Sequence, residues 1–141
     1  MIALYCVTIA LEKVHKLNYM HRDIRWPNVI KYKKKMAWFI IDFEYAKMSP
    51  CSKDNDIVSK LNKTNHAPEI FTKELHNLSV DIWSIGYLIA DAGFRITYQS
   101  LDDLKHTLLG TDRPTTETVK IEVSKIHASL CNDTNCSFKN L

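Results

Sequence analysis

One short polar segment constrains the fold of this chain more than any other feature: residues 21–28, His-Arg-Asp-Ile-Arg-Trp-Pro-Asn. Asp42 follows Asn28 by 14 residues and closes an apolar run. A carboxylate at Asp23 can accept a proton from an attacking hydroxyl, and the oxygens of Asn28 and Asp42 are hard ligands that suit Mg²⁺. The spacing predicts two neighbouring loops that act on a phosphoryl group and its metal.

Four further segments follow residues 21–28 along the chain. They are Asp42-Phe43-Glu44, Ala67-Pro68-Glu69, Asp81-Ile82-Trp83-Ser84-Ile85-Gly86 and Thr111-Asp112-Arg113-Pro114-Thr115. In this order they resemble the H-R-D, D-F-G and A-P-E motifs, the F helix and the late arginine segment of eukaryotic protein kinases. The resemblance covers roughly residues 1–125, and it implies the C-terminal lobe of that family.

The resemblance implies transfer of the γ-phosphate of ATP to a hydroxyl of a protein substrate, with ATP and Mg²⁺ as cofactors. Asp23 would accept the hydroxyl proton, and Arg25 would replace the lysine that family members place near the transferred phosphate. Asn28 would be both a catalytic residue and a ligand of Mg²⁺, together with Asp42. Ile30 would form part of the floor beneath the adenine ring.

The resemblance also implies supporting roles for five residues. His21 and Arg22 belong to the H-R-D motif, and Arg22 is the arginine that pairs in many kinases with a phosphate on the activation segment. Residues 44–66 would be that activation segment, although their serines and threonines can equally be ordinary loop hydroxyls. Asp81 would hold backbone amides of the catalytic loop, a role compatible with plain helix capping, and Arg113 would pair with Glu69.

Three positions depart from the family pattern. Glu44 replaces the glycine after Asp-Phe, which stiffens a hinge and adds negative charge near the metal. Asn62 replaces the threonine that serine/threonine kinases carry five residues before Ala67, and Asn65 replaces the usual aromatic residue. Since some tyrosine kinases also carry arginine at the position of Arg25, the acceptor amino acid stays open.

Hydrophobic spacing in the first half of the chain predicts a helix and a hairpin. Val7, Leu11, Val14 and Leu17 recur at intervals of four and three, which predicts a helix over residues 2–17. Two β-rich runs, residues 29–32 and 36–41, flank a lysine-rich tip at 33–35 and predict a hairpin. A solvated tip is favoured there over a nuclear-localisation patch.

The second half predicts three helices, over residues 79–92, 101–109 and 118–126. Ser79 is expected to cap the first of these, which is apolar nearly all round and therefore expected to be buried. Apolar and polar residues also alternate over 118–126, as in a strand. A helix is preferred because Pro114 favours a helix start and because the kinase resemblance implies a helix here. The expected fold class is mainly α with a small β-hairpin, with a domain over residues 1–130 and a flexible tail over 131–141.

Composition excludes several classes of protein. A net charge of +3 is too small to imply a nucleic-acid partner. The four cysteines, at positions 6, 51, 131 and 136, lack the paired spacing of a zinc site and are expected to be reduced thiols. The apolar start has neither a basic region nor a cleavage site, so neither a signal peptide nor a membrane segment is expected, and the location is taken as cytoplasmic or nuclear.

The glycine-rich loop, the strand lysine and the C-helix glutamate of the kinase N-terminal lobe are not among these 141 residues. The sequence therefore predicts a truncated catalytic lobe that is inactive alone and has a missing or separate N-lobe as a partner. The alternative is a non-catalytic, pseudokinase-like interaction module. A small phosphotransferase acting on metabolites is a third interpretation, disfavoured by the A-P-E segment and Arg113.

Overall fold

The computed structural model describes residues 1–32, 37–52, 59–72, 74–92 and 98–133. Four helices lie in these ranges: α1 Ile2–Lys16, α2 Ser79–Asp91, α3 Gln99–Leu109 and α4 Thr116–Asp133. Four short strands accompany them: β1 Tyr19–Met20, β2 Val29–Tyr32, β3 Ala37–Ile40 and β4 Lys47–Met48. Single 3₁₀ turns span Trp26–Asn28 and Pro68–Phe71.

The central helix is α2, which buries residues on nearly every side. It packs against α3, and Gly86 permits the close approach because a Cβ atom there would lie 2.8 Å from Cβ of Leu108. The predicted cap at Ser79 is wrong. The N-cap position is Leu78, which has no side-chain cap, and the N–H of Ser79 instead donates to Oδ1 of Asn77 at 2.9 Å.

Helices α1 and α4 pack together and close the apolar core from the other side. Helix α1 contributes Leu4, Val7 and Leu11, and the facing residues of α4 recur every three or four positions, as a helix requires: Val119, Val123 and Ile126. Nζ of Lys120 reaches Oε1 of Glu12 at 2.8 Å and joins the two helices at the surface.

Two antiparallel ribbons support the loops between the helices. In the β2–β3 hairpin Ile30 pairs with Phe39, as the apolar runs predict, while the lysine tip at 33–35 lies outside the described residues. In the second ribbon Tyr19 of β1 pairs with Met48 of β4. This second pairing places the segment that enters residues 21–28 beside the segment that follows Asp42.

The predicted fold class is confirmed, since the chain is mainly helical with small antiparallel ribbons. Helix α4 runs farther than predicted and takes in residues 131–133, the first of the expected tail, while residues 134–141 lie outside the described part. In the described residues no helix combines the length and the apolar character needed to cross a membrane.

Candidate functional site

The loop of residues 21–28 is anchored from below by a buried carboxylate of α2. Oδ2 of Asp81 accepts the backbone N–H of His21 at 2.7 Å, and Oδ1 accepts that of Arg22 at 2.8 Å. Asp81 is fully buried. Arg22 has a φ of 67°, a left-handed conformation that costs a non-glycine residue about 1 kcal/mol or more. The two hydrogen bonds from Asp81 help to hold this conformation.

A histidine that the sequence interpretation missed orients Asp81. Nε2 of His15, on α1, lies 3.0 Å from Oδ2 of Asp81, and Nδ1 contacts the hydroxyl of Thr116 at the start of α4. Residues from three helices therefore converge beneath the loop. In the sequence, His15 is simply a histidine six residues before His21. That spacing does not predict its contact with Asp81.

His21 joins this loop to the Asp42-Phe43 segment. Its Nε2–H donates to the carbonyl oxygen of Ile41 at 3.0 Å, and its Nδ1 accepts the backbone N–H of Asp23 at 3.3 Å. The ring also packs against Phe43, with centroids 4.5 Å apart. The fully buried imidazole thus fixes the distance between the two segments.

Asp23 and Asn28 form the centre of the site. Nδ2 of Asn28 donates to Oδ2 of Asp23 at 2.8 Å and to the carbonyl oxygen of Asp23 at 2.9 Å. The N–H of Ile41 donates to the carbonyl oxygen of Asn28 at 3.0 Å. Because the amide nitrogen of Asn28 is committed to Asp23, its side-chain oxygen points elsewhere and has no hydrogen-bond partner among the described residues.

The other oxygen of Asp23 receives two groups. Nε2 of His66 lies 2.9 Å from Oδ1, and Nε of Arg25 lies 2.9 Å from the same atom without an aligned N–H. Burial alone would raise the pKa of Asp23, but the contacts with His66 and Arg25 outweigh it and leave this pKa below its usual range. The site therefore favours a charged carboxylate.

His66 is the second residue that the sequence interpretation missed. It precedes Ala67 directly, and its Nδ1 donates to the carbonyl oxygen of Asn62 at 2.8 Å. The ring is buried at 4% exposure and bridges the segment before A-P-E to the carboxylate of Asp23, which is 1% exposed. In the sequence, only its position beside Ala67 pointed to His66. Asn62 and Asn65 were considered in this segment instead.

The residues expected to bind Mg²⁺ fit that ion. Asp42 is exposed, has a φ of 66°, and its carboxylate makes no hydrogen bond or ion pair with the described residues. The free side-chain oxygen of Asn28 supplies a second hard ligand of the kind that Mg²⁺ prefers. In the described part of the chain, no group of three or more histidine, cysteine or acidic residues forms a ready metal cage.

An apolar surface adjoins these oxygens, and we call it the hairpin face. It consists of four side chains between 38% and 48% exposed: Ile30, Tyr32, Phe39 and Ile41. Ile30, which the resemblance assigns to the floor beneath adenine, lies in its centre opposite Phe39. A flat, apolar surface of this kind suits one side of an aromatic ring.

Two arginines hold two segments of the chain, Arg113 the A-P-E segment and Arg22 the segment that follows Asp42. Arg113 contacts both carboxylate oxygens of Glu69 and also donates to the carbonyl oxygen of Ser79 at 3.2 Å. Arg22, fully buried, donates from Nε to the carbonyl oxygen of Tyr45 at 2.6 Å. Glu44, the departure from the family's glycine, is exposed and lies 3.9 Å from Nζ of Lys60, a pair too open to contribute much stability.

Comparison with known proteins decides the family. The family model of the protein kinase domain matches residues 2–137, which is nearly the whole chain. The chain belongs to the protein kinase family. Its fold is the kinase C-terminal lobe, as the motifs predict, and the match includes residues 21–28 and 42–44, which resemble the H-R-D and D-F-G segments.

Three relatives illustrate the similarity. Crinkler effector protein 8 of Phytophthora infestans is 42% identical over 89 residues, which is 62% of this chain and 14% of that protein. The cAMP-dependent protein kinase type 3 of Saccharomyces cerevisiae is 35% identical over 98 residues, 67% of this chain and 23% of its own length. Serine/threonine-protein kinase zyg-8 of Caenorhabditis elegans is 32% identical over 60% of this chain and 11% of its own. The chain thus spans less than a quarter of each of these curated relatives.

Proposed function

We propose that this kinase C-lobe carries the proton-accepting and metal-binding half of a protein kinase that transfers the γ-phosphate of ATP to a protein hydroxyl. One observation carries the proposal. Asn28 commits its amide nitrogen to Asp23 and leaves its side-chain oxygen free, while the nearby Asp42 has a carboxylate that no described residue occupies. A non-catalytic lobe needs neither arrangement.

In the proposed reaction, Mg²⁺ supplies charge neutralisation on the phosphates. Asp23, kept charged by its neighbours, accepts the proton of the attacking hydroxyl at Oδ2, the oxygen that among the described residues is contacted by Asn28 alone. Arg25, 40% exposed at its side chain, offers positive charge toward the transferred group. Asp81 and His21 position these residues by holding the backbone of the loop.

An N-terminal lobe, from the same polypeptide or from another chain, completes the proposed enzyme. The hairpin face is the surface on which that lobe would lie, with the adenine ring between them at Ile30. Phosphoryl transfer depends on positioning and on cationic clamps that are worth about 10³–10⁵ in rate. The 141-residue chain by itself is therefore proposed to have negligible kinase activity, and to occur inside a cell with protein substrates as its partners.

The test compares this chain with a longer one that includes the coding sequence upstream of Met1, using radiolabelled ATP and generic protein substrates. We expect transfer by the longer chain only, and we expect Asp23→Asn, Asn28→Ala and Asp42→Asn each to lower it by at least about 10²-fold. Asp112→Asn, an exposed carboxylate outside the site, is the control. Activity that survives Asp23→Asn would contradict the assigned proton acceptor.

A pseudokinase-like binding module is the second candidate, and one observation favours it. His66 and Arg25 both occupy Oδ1 of Asp23, so the carboxylate is closed on the side of the activation segment. Calorimetric titration of the longer chain with ATP in the presence and absence of Mg²⁺ separates the two candidates. Binding that requires Mg²⁺ and fails in Asp42→Asn supports the enzyme, while metal-independent binding or none supports the module.

A further inference from the structure

A cysteine, a histidine and an arginine meet behind the catalytic loop, outside the site described above. Sγ of Cys51 lies 3.2 Å from Nε2 of His76 and 3.7 Å from the NH1 nitrogen of Arg22. The backbones of Cys51 and His76 also form a β-bridge, with hydrogen bonds of 3.0 and 2.9 Å. The sulfur is therefore held in place by both main-chain and side-chain contacts.

The charge of Arg22 needs a partner at this position. Its side chain is 1% exposed, and burying a guanidinium without a counter-charge is costly. In the described ranges its side-chain contacts are the carbonyl oxygen of Tyr45 and the sulfur of Cys51, and no carboxylate pairs with it. Among the described groups that contact Arg22, Cys51 is the one whose side chain has an anionic form, so a thiolate there would supply the counter-charge.

His76 is placed to manage the proton of this thiol. Its ring is 2% exposed, and its Nδ1 is buried without a hydrogen-bond partner among the described residues. Burial, followed by the positive charge of Arg22, lowers the pKa of His76. His76 therefore rests as a neutral imidazole whose Nε2, 3.2 Å from Sγ of Cys51, can accept the thiol proton and holds it only until a stronger base takes it.

We propose that Cys51 is a reactive thiol that hydrogen peroxide oxidises to a sulfenic acid, with Arg22 stabilising the thiolate and His76 carrying the proton. His76 takes the proton from the thiol, and the thiolate sulfur attacks one peroxide oxygen. The O–O bond breaks as the S–O bond forms, and the leaving hydroxide recovers the proton from His76 as water. Sulfur loses the two electrons that peroxide gains.

The position of Cys51 suits a small oxidant and connects the reaction to the catalytic loop. The residue is 8% exposed and lies between the exposed Pro50 and Ser52, so a molecule the size of peroxide can reach the sulfur more easily than a large reagent. The new oxygen would meet the guanidinium of Arg22, which directly precedes Asp23. This chemistry does not depend on phosphoryl transfer.

The test uses two single-cysteine forms of the chain, in which the other three cysteines are serine. One retains Cys51 and the other retains Cys6, a partly exposed thiol of α1. Both are treated with hydrogen peroxide, and samples taken at intervals are unfolded in guanidinium chloride that contains dimedone, which traps the sulfenic acid for measurement by mass spectrometry. We expect Cys51 to react about tenfold faster than Cys6 in the folded chain, and the two to react alike in guanidinium chloride.

Variants then assign the cause. Arg22→Gln removes the charge and is expected to slow Cys51 about tenfold, Arg22→Lys to restore part of the rate, and His76→Gln to slow it as well. Circular dichroism checks that each variant folds. If Arg22→Gln does not fold, the parent chain still provides a test: the oxidation rate of Cys51 in the folded chain is divided by its rate in guanidinium chloride. An inert buried thiol would be oxidised more slowly in the folded chain than in the unfolded one. A ratio below one, or equal rates in Arg22→Gln and Arg22→Lys, overturns the proposal.

Discussion

At the scale of single residues, Asp81 joins the loop of residues 21–28 to two helices. It accepts the backbone N–H groups of His21 and Arg22 and the ring N–H of His15. A carboxylate that accepts several hydrogen bonds in a buried position contributes far more than an exposed ion pair, because its removal leaves each donor without a partner. The loop geometry around Asp23 therefore depends on a residue that does not touch the substrate.

Asp81→Ala is expected to lower the free energy of unfolding by about 3 kcal/mol, since it leaves buried donors unsatisfied. Asp81→Asn keeps one acceptor and is expected to cost less. Urea titration followed by circular dichroism measures both. Asp91→Ala, at an exposed position of the same helix, is the control, with an expected change within about 0.5 kcal/mol. An equal loss in the two alanine variants would contradict the role given to Asp81.

Residue-level contacts also show what the sequence could not predict. His66 lies 43 residues from Asp23 along the chain, and Cys51 lies 25 from His76. No periodicity or local motif links such pairs, because they meet only after the helices have packed. Contacts inside a known motif, such as that of Arg113 with Glu69, are visible in advance through the family resemblance alone.

At the scale of elements, the helices were predictable where apolar residues recur at helical intervals, as Val119, Val123 and Ile126 do in α4. The ends were less predictable. Ser79 looked like a cap because serine is common there, yet the helix begins at this residue and Asn77 accepts its N–H. Leu130 continues the helical spacing of α4 beyond Ile126, whereas the polar residues Asn132 and Asp133 give no sign of where the helix ends.

The contact between α2 and α3 depends on the absence of a side chain at Gly86. Alanine there gains about 1 kcal/mol in helix propensity, but its Cβ would lie 2.8 Å from Cβ of Leu108, an atom fixed to the backbone. Overpacking of this kind costs about 1–3 kcal/mol, so Gly86→Ala is expected to destabilise the chain. Thermal unfolding measures the change.

The matched control for this substitution is Ala90→Gly, at an exposed position of α2. This substitution changes helix propensity without adding a side chain at the contact, and it is expected to lower the free energy of unfolding by about 1 kcal/mol. If Gly86→Ala instead raised stability by that amount, the two helices would not be in the close contact described.

The ion pair between Glu12 of α1 and Lys120 of α4 predicts that the stability of the chain depends on pH. A hydrogen bond from Lys120 lowers the pKa of Glu12 below 4.5, its ordinary value. Because the folded carboxyl binds its proton less tightly than the unfolded one, the stabilisation is present above about pH 4.5 and is lost as the pH falls through the lowered pKa. Glu12→Gln should therefore be less stable than the parent chain at pH 7, and the difference should vanish as the pH falls through the lowered pKa of Glu12.

Urea midpoints across this pH range, at low and high salt, test the prediction. Salt should reduce the difference at pH 7, because the pair lies at the surface. Glu74→Gln, exposed and outside both helices, is the control and should show no comparable pH-dependent difference. A Glu12→Gln effect that is constant with pH would contradict the assigned cause.

At the scale of the whole molecule, the hairpin face presents four exposed apolar side chains on one side of a two-stranded ribbon. Exposed apolar patches of this kind favour association. We expect the 141-residue chain to self-associate at micromolar concentration, and Phe39→Lys to reduce this association. Sedimentation velocity measures it.

Leu75→Lys is the control, because Leu75 is more exposed, at 69%, but lies in the loop before α2. A parent chain that stays monomeric, with no response to Phe39→Lys, would contradict the assignment of the hairpin face as a contact surface. Equal effects of the two substitutions would show that any added charge suffices.

The contact of His15 with Asp81 and Thr116 has a consequence for how the chain folds during its synthesis. Residues 21–28 are synthesised long before Asp81, and Asp81 before Thr116, so the loop emerges without the groups that later shape it. The full set of contacts beneath the loop is complete only after the ribosome has delivered the first turn of α4. A nascent chain that stops short of this point would contain every residue of the H-R-D and D-F-G segments and still lack the support that orders them.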